Sequence, residues 1–224
     1  LTAVVTGTVG SDRLAYTLGT RATGSSGVGA YPITVSLGSN PNYDVSTTDA
    51  TLTVGAKSAS VVAEAKGKTY GEANPGLTAV VTGTVGSDTL AYTLGTTATD
   101  SSGVGPYPIT VSLGSNPNYD VSKTESTLTV GAATLTVTAN DQSRDYGLAN
   151  PPLTVSYSGF VDGEDASVLS GTPILSTGAE ATSPAGKYPI AVNQGTLSSL
   201  NYNFSFVDGT LTVTGVPAPL ISSI

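Results

Sequence analysis

The chain has 224 residues, with 27 Gly, 13 Pro, 16 acidic and 8 basic residues, no Cys, no His, and a formal net charge of -8. An acidic surface with singly scattered Lys and Arg excludes the cation clusters that nucleic acid needs. Without Cys there are no disulfides or thiolate metal sites, and no apolar run approaches the roughly 20 residues of a membrane span. Thr, Ser, Val and Ala dominate the rest, which is strand and turn chemistry. No stretch of ten residues keeps a helical apolar spacing without a Gly, a Pro or a β-branched run interrupting it.

Read from the first residue, the dominant signal is repetition. Residues 1–56 return at 77–132, an offset of 76, with 49 of 56 positions identical. The differences are Arg13/Thr89, Arg21/Thr97, Gly24/Asp100, Ala30/Pro106, Thr47/Lys123, Asp49/Glu125 and Ala50/Ser126. A third, diverged copy follows: Tyr70-Gly71-Glu72-Ala73-Asn74-Pro75 returns as Tyr146-Gly147-Leu148-Ala149-Asn150-Pro151, and Tyr107-Pro108-Ile109 as Tyr188-Pro189-Ile190. A period of this length exceeds the solenoid units of about 20–50 residues and suits small domains of marginal individual stability. The expected organisation is a first module at 1–56 lacking its opening strand, a second at 57–132, a third at 133–214, and a tail at 215–224 resembling the start of a further module. Opening on Leu1 with no signal peptide, the sequence reads as a processed product or a fragment.

Within a module, period-2 alternation predicts strands. Leu90, Tyr92 and Leu94 share one face, as do Tyr107, Ile109, Val111 and Leu113, then Leu128 and Val130. In the third copy Tyr202, Phe204 and Phe206 do the same. Turns are expected at 114–118 and 161–165, and Asp165 is placed to cap one helical turn ahead of Leu169. Residues 133–139 should open the third module and 210–213 close it. With only Gly131 and Ala132 between one closing strand and the next opening strand, neighbouring modules cannot tumble freely. The expected fold class is all-β: tandem small β-sandwich or β-grasp-like modules arranged as an elongated rod.

Several spaced motifs carry a family resemblance. Tyr-Gly-x-x-Asn-Pro, the turn Gly159-Phe160-Val161-Asp162-Gly163, Gly-Thr-Pro-Ile-Leu-Ser-Thr at 171–177, Gly-Lys-Tyr-Pro-Ile at 186–190 and Asp-Gly-Thr-Leu-Thr-Val at 208–213 together resemble the bacterial MBG-type repeat domain. The first two copies replace the Gly-Phe-Val turn with Gly7-Thr8-Val9-Gly10 and Gly83-Thr84-Val85-Gly86. The resemblance implies a stalk or spacer in a large filamentous-haemagglutinin-like surface adhesin, located outside the cell or on its surface.

Without His and Cys, catalysis would rest on carboxylates alone, with Glu164/Asp165 and Asp141/Asp145 as the nearest pairs. Both lie in turns and read as solvated. Replacing Glu164 and Asp165 with Ala is therefore expected to change stability by less than about 0.5 kcal/mol. Asp162, Glu164 and Asp165 are the calcium candidates, yet they lack the alternating ligand spacing of a dedicated loop, and ordinary turn chemistry is preferred. Tyrosines at fixed repeat positions suit sandwich corners better than a glycan platform. Asn203-Phe204-Ser205 is discounted as a sequon because it lies in a strand. No cofactor, nucleic acid or membrane insertion is expected. The partners expected are neighbouring repeats of a longer chain, or copies of itself assembled head to tail. In the second case Ala218, Leu220, Ile221 and Ile224 of the tail would fill the groove of a neighbour's first module. The rival is an adhesive module with a glycan or protein receptor.

Overall fold

The computed structural model describes residues 1–216. The molecule is built from strands, and they follow the repeats. In the first repeat β1 (Tyr16–Thr20), β2 (Gly29–Leu37) and β3 (Ala50–Val54) form one antiparallel sheet in that order. The second contributes β4 (Lys57–Ala63), β5 (Lys66–Thr69), β6 (Ala79–Thr82), β7 (Tyr92–Thr96), β8 (Gly105–Leu113), β9 (Tyr119–Thr124) and β10 (Ser126–Gly131). These make two sheets, β6-β4-β9 and β5-β10-β8-β7. The third repeat contributes β11 (Ala133–Ala139), β12 (Gln142–Asp145), β13 (Val155–Ser158), β14 (Ile174–Thr177), β15 (Gly186–Asn193), β16 (Tyr202–Val207) and β17 (Gly209–Thr214), in sheets β13-β11-β16 and β12-β17-β15-β14.

The third repeat shows why the sequence folds this way. Ala133, Leu135, Val137 and Ala139 of β11 are buried, and the intervening threonines are not. Alternation therefore fixes which face meets the core, because a one-residue slip would turn every apolar side chain to water. Val137 and Ala139 pack with Ile190 and Val192 of β15 and Leu211 of β17, so the two sheets face each other as a sandwich. Each of these larger side chains, once fully buried, contributes about 1.5–3 kcal/mol. β11 lies at the centre of its sheet, antiparallel to β13 and parallel to β16, and β12 then crosses to run parallel with β17 in the other sheet. The expected helical turn is a 3-10 turn at Ala166–Val168, capped by the Asp165 carboxylate, which accepts from the Ser167 N–H at 2.8 Å. One residue, Ala132, separates β10 from β11.

The chain forms two compact units that share the second repeat. One comprises residues 1–64, 78–95 and 110–125, and so holds the first repeat and sheet β6-β4-β9. The other comprises, among the described residues, 65–77, 96–109 and 126–216, and holds β5, β10, the first half of β8 and the third repeat.

Candidate functional site

Each repeat carries the same hydrogen-bonded turn. In the first, the Val9 N–H donates to the Tyr43 hydroxyl at 2.9 Å, and that hydroxyl donates to Asp12 at 2.8 Å. In the second, Val85, Tyr119 and Asp88 repeat the arrangement at 2.9 and 2.6 Å. The third uses Val161, Tyr202 and Glu164, with the Val161 N–H 2.8 Å from the Tyr202 hydroxyl and that hydroxyl donating to Glu164. The longer Glu164 side chain reaches a second donor: the hydroxyl of Tyr70, from the second repeat, lies 2.7 Å from its Oε1. The rings of Tyr70 and Phe160 both meet Tyr202 edge to face, with centroids 5.7 Å apart in each pair.

This cluster is a joint between consecutive repeats. It accounts for the tyrosine and the glycine of the Tyr-Gly-x-x-Asn-Pro motif, while the asparagine fastens a loop of its own repeat. Tyr70 supplies the hydroxyl and the ring. Gly71, at φ +83°, lies so close to Val161 that an added Cβ would stand 2.2 Å from its Cγ1. The Asn74 side-chain amide donates to the Ala98 carbonyl at 2.6 Å, as Asn150 does to Ala179 at 2.6 Å in the third repeat. A smaller latch stands beside it, where the Val104 N–H donates to Asn201 Oδ1 at 3.0 Å. Its counterpart in the other unit is the Val28 N–H on Asn118 Oδ1 at 2.9 Å.

The electrostatics follow from these contacts. Burial, reinforced by the Glu164 hydrogen bond, pushes the Tyr202 hydroxyl up to about 12. The hydrogen bond to Glu164 raises Tyr70, and the one to Asp88 raises Tyr119. Asp165 is held below the usual carboxylate range by the Ser167 hydroxyl and N–H.

Glu164 is thus no solvated turn carboxylate: it is half-buried and accepts from two tyrosines. Asp162 is exposed, with φ at 50°, and Asp165 caps the 3-10 turn. Asp141 accepts from the Thr210 N–H at 2.7 Å, while Asp145 accepts from the Thr214 hydroxyl. Among the described residues no group of three or more acidic side chains converges as a metal ligand set, and no helix is long and apolar enough to cross a membrane. Ala218, Leu220, Ile221 and Ile224 lie outside the described residues.

Two functional side chains escaped sequence reasoning. Lys68 and Arg144, only 8% and 7% exposed, sit at equivalent positions and hold a loop by its carbonyls. Lys68 Nζ donates to Glu72, Thr99 and Asp100 oxygens at 2.9, 2.7 and 3.1 Å. Arg144 donates to the Asp145 and Glu180 carbonyls and, through Nε, to Asn150 Oδ1 at 2.7 Å. The available signal was a basic residue recurring at the 76-residue offset.

A family model, described as the MBG domain of YGX type, matches residues 1–53, 59–129 and 135–212. No functionally curated protein matches the chain.

Proposed function

The chain belongs to the MBG domain family of YGX type, whose domains are typical of extracellular surface proteins, and from this we propose that the array is a non-enzymatic spacer. It would set the distance between a cell surface and whatever the parent protein presents beyond it. The observation that carries the reading is the joint. Tyr70 and Gly71 of one repeat's opening segment are committed to the next repeat, and Val104 is held by that repeat's Asn201, so part of the recurring motif serves connection.

The test is to display an epitope beyond arrays of zero, one or three second-repeat units on a bacterium with a thick capsule. Antibody access should rise with repeat number, and the purified array should retain no glycan or matrix protein. Access independent of repeat number, or saturable glycan binding, would refute the spacer and favour an adhesive module.

A second reading, a subunit that assembles head to tail, is favoured by the first repeat's apolar residues Ile33, Val35, Leu52 and Val54, which are only half-buried. Filament formation by the pure protein, lost on deleting residues 217–224, would establish it.

A further inference from the structure

Residues 1–56 and 77–132 are nearly identical, and none of their seven differing positions is buried in either copy. Their structures nevertheless differ in one consistent way. Ala79–Thr82 and Tyr119–Thr124 are strands flanking β4, whereas the matching residues 3–6 and 43–48 form no strand. Ile109, Val111, Leu128 and Val130 are 0–1% exposed, whereas Ile33, Val35, Leu52 and Val54 are only half-buried. Leu90 and Ala98 are buried, and their counterparts Leu14 and Ala22 are not.

The second repeat also contains residues 57–76, which residues 1–56 do not match. That segment supplies β4, the central strand of its sheet, and β5, which pairs in parallel with β10. It also supplies Lys68 and Asn74, which fasten the loop at 98–100. The difference in burial therefore has a cause visible within the same molecule.

We infer that the first repeat is a socket for a segment of the 57–76 type, and that such a segment folds into it when supplied as a separate peptide. Its Ala, Val and Ala at the positions of 59, 61 and 63 cover the half-buried apolar face. Its second strand adds in parallel to the edge of β3, strand addition in which backbone bonds give affinity and alternate side chains give selectivity. Its Lys meets the carbonyls of Thr23 and Gly24, and its Asn meets that of Ala22. One contact does not transfer, because Asp100, whose carboxylate accepts from the Asn74 N–H, is replaced by Gly24. The inference stands on one repeat and is independent of whether the array acts as a spacer.

The experiment adds a synthetic peptide of residues 55–76 to the isotope-labelled full chain and follows it by NMR and amide exchange. Saturable binding is expected, with residues 3–6 and 43–48 gaining protection and the Ile33, Val35 and Leu52 methyls shifting. A Val61→Asp peptide should not bind, and a Lys68→Ala peptide should bind about tenfold more weakly or worse. Absence of binding at about 1 mM peptide, an affinity too weak to matter, would overturn the inference. So would equal binding of a scrambled peptide, or changes confined to 79–82, 119–124 and 126–131, which would mean exchange with the chain's own β4 and β5. Oligomers dissolved by deleting residues 217–224, with no peptide binding to the shortened chain, would overturn it in favour of the tail.

Discussion

Lys68 and Arg144 solve one problem with different completeness. Both are buried cations without a carboxylate partner in the loop they hold, so their charge is satisfied by carbonyl dipoles. Arg144 also donates to Asn150 Oδ1, while the equivalent Asn74 Oδ1 is buried with no donor. A lysine has no second nitrogen to send there. Lys68→Arg should therefore stabilise the second repeat by about 1 kcal/mol, read as a higher urea midpoint at unchanged m-value. An unchanged or lower midpoint would show that the longer side chain does not fit. Glu164 makes the opposite point: a carboxylate that looks like turn chemistry serves as acceptor to two hydroxyls, so Glu164→Ala should cost about 1–3 kcal/mol instead of a few tenths. The same contacts give a pH dependence. Because Tyr70 and Tyr202 are raised, the folded state holds their protons more tightly than the unfolded chain. Their contribution is fully present below about pH 10 and is lost as pH rises through the folded values, for Tyr202 about 12. Ultraviolet titration should find Tyr202 ionising last, and Glu164→Gln should move both tyrosines down.

At the level of elements, most strands were legible because alternation and flanking turns are local signals. β11 matches the opening strand read from its pattern, and the Asp165 cap marks the single 3-10 turn. What could not be read is which copy of an identical segment becomes a strand. Ala79–Thr82 pairs with β4, and the same four residues at 3–6 do not, so the deciding information is the partner and not the propensity. The joint was illegible for a related reason. Its hydrogen bond from Tyr70 to Glu164 spans 94 positions, and its acceptor differs from Asp88, at the matching position of the second repeat, by one methylene. Gly71 tests the joint as an element. Gly71→Ala combines a positive φ with a Cβ that overlaps Val161, and it should destabilise by roughly 1–3 kcal/mol. The double variant with Val161→Ala should recover the steric share. No recovery would place the cost in the backbone alone.

On the scale of the whole molecule, the two compact units divide the second repeat, so both latches between repeats lie inside a unit. The first repeat, whose inward apolar residues are only half-buried, should open most readily. Trypsin at low ratio should therefore cut at Arg13 and Arg21 before Lys68 or Arg144, as mass spectrometry of early fragments would show; first cleavage at the buried pair would contradict it. The latches have a further consequence, in inheritance. The two near-identical copies keep the donors Val28 and Val104, and carry Asn42 where the acceptor Asn118 stands, at the same offset of 76. Unequal crossing-over between them at the DNA level would add or delete one unit of 76 residues while leaving every latch an acceptor of the kind it already meets. The length of such an array can then change in whole steps between generations, with no compensating mutation in the neighbours.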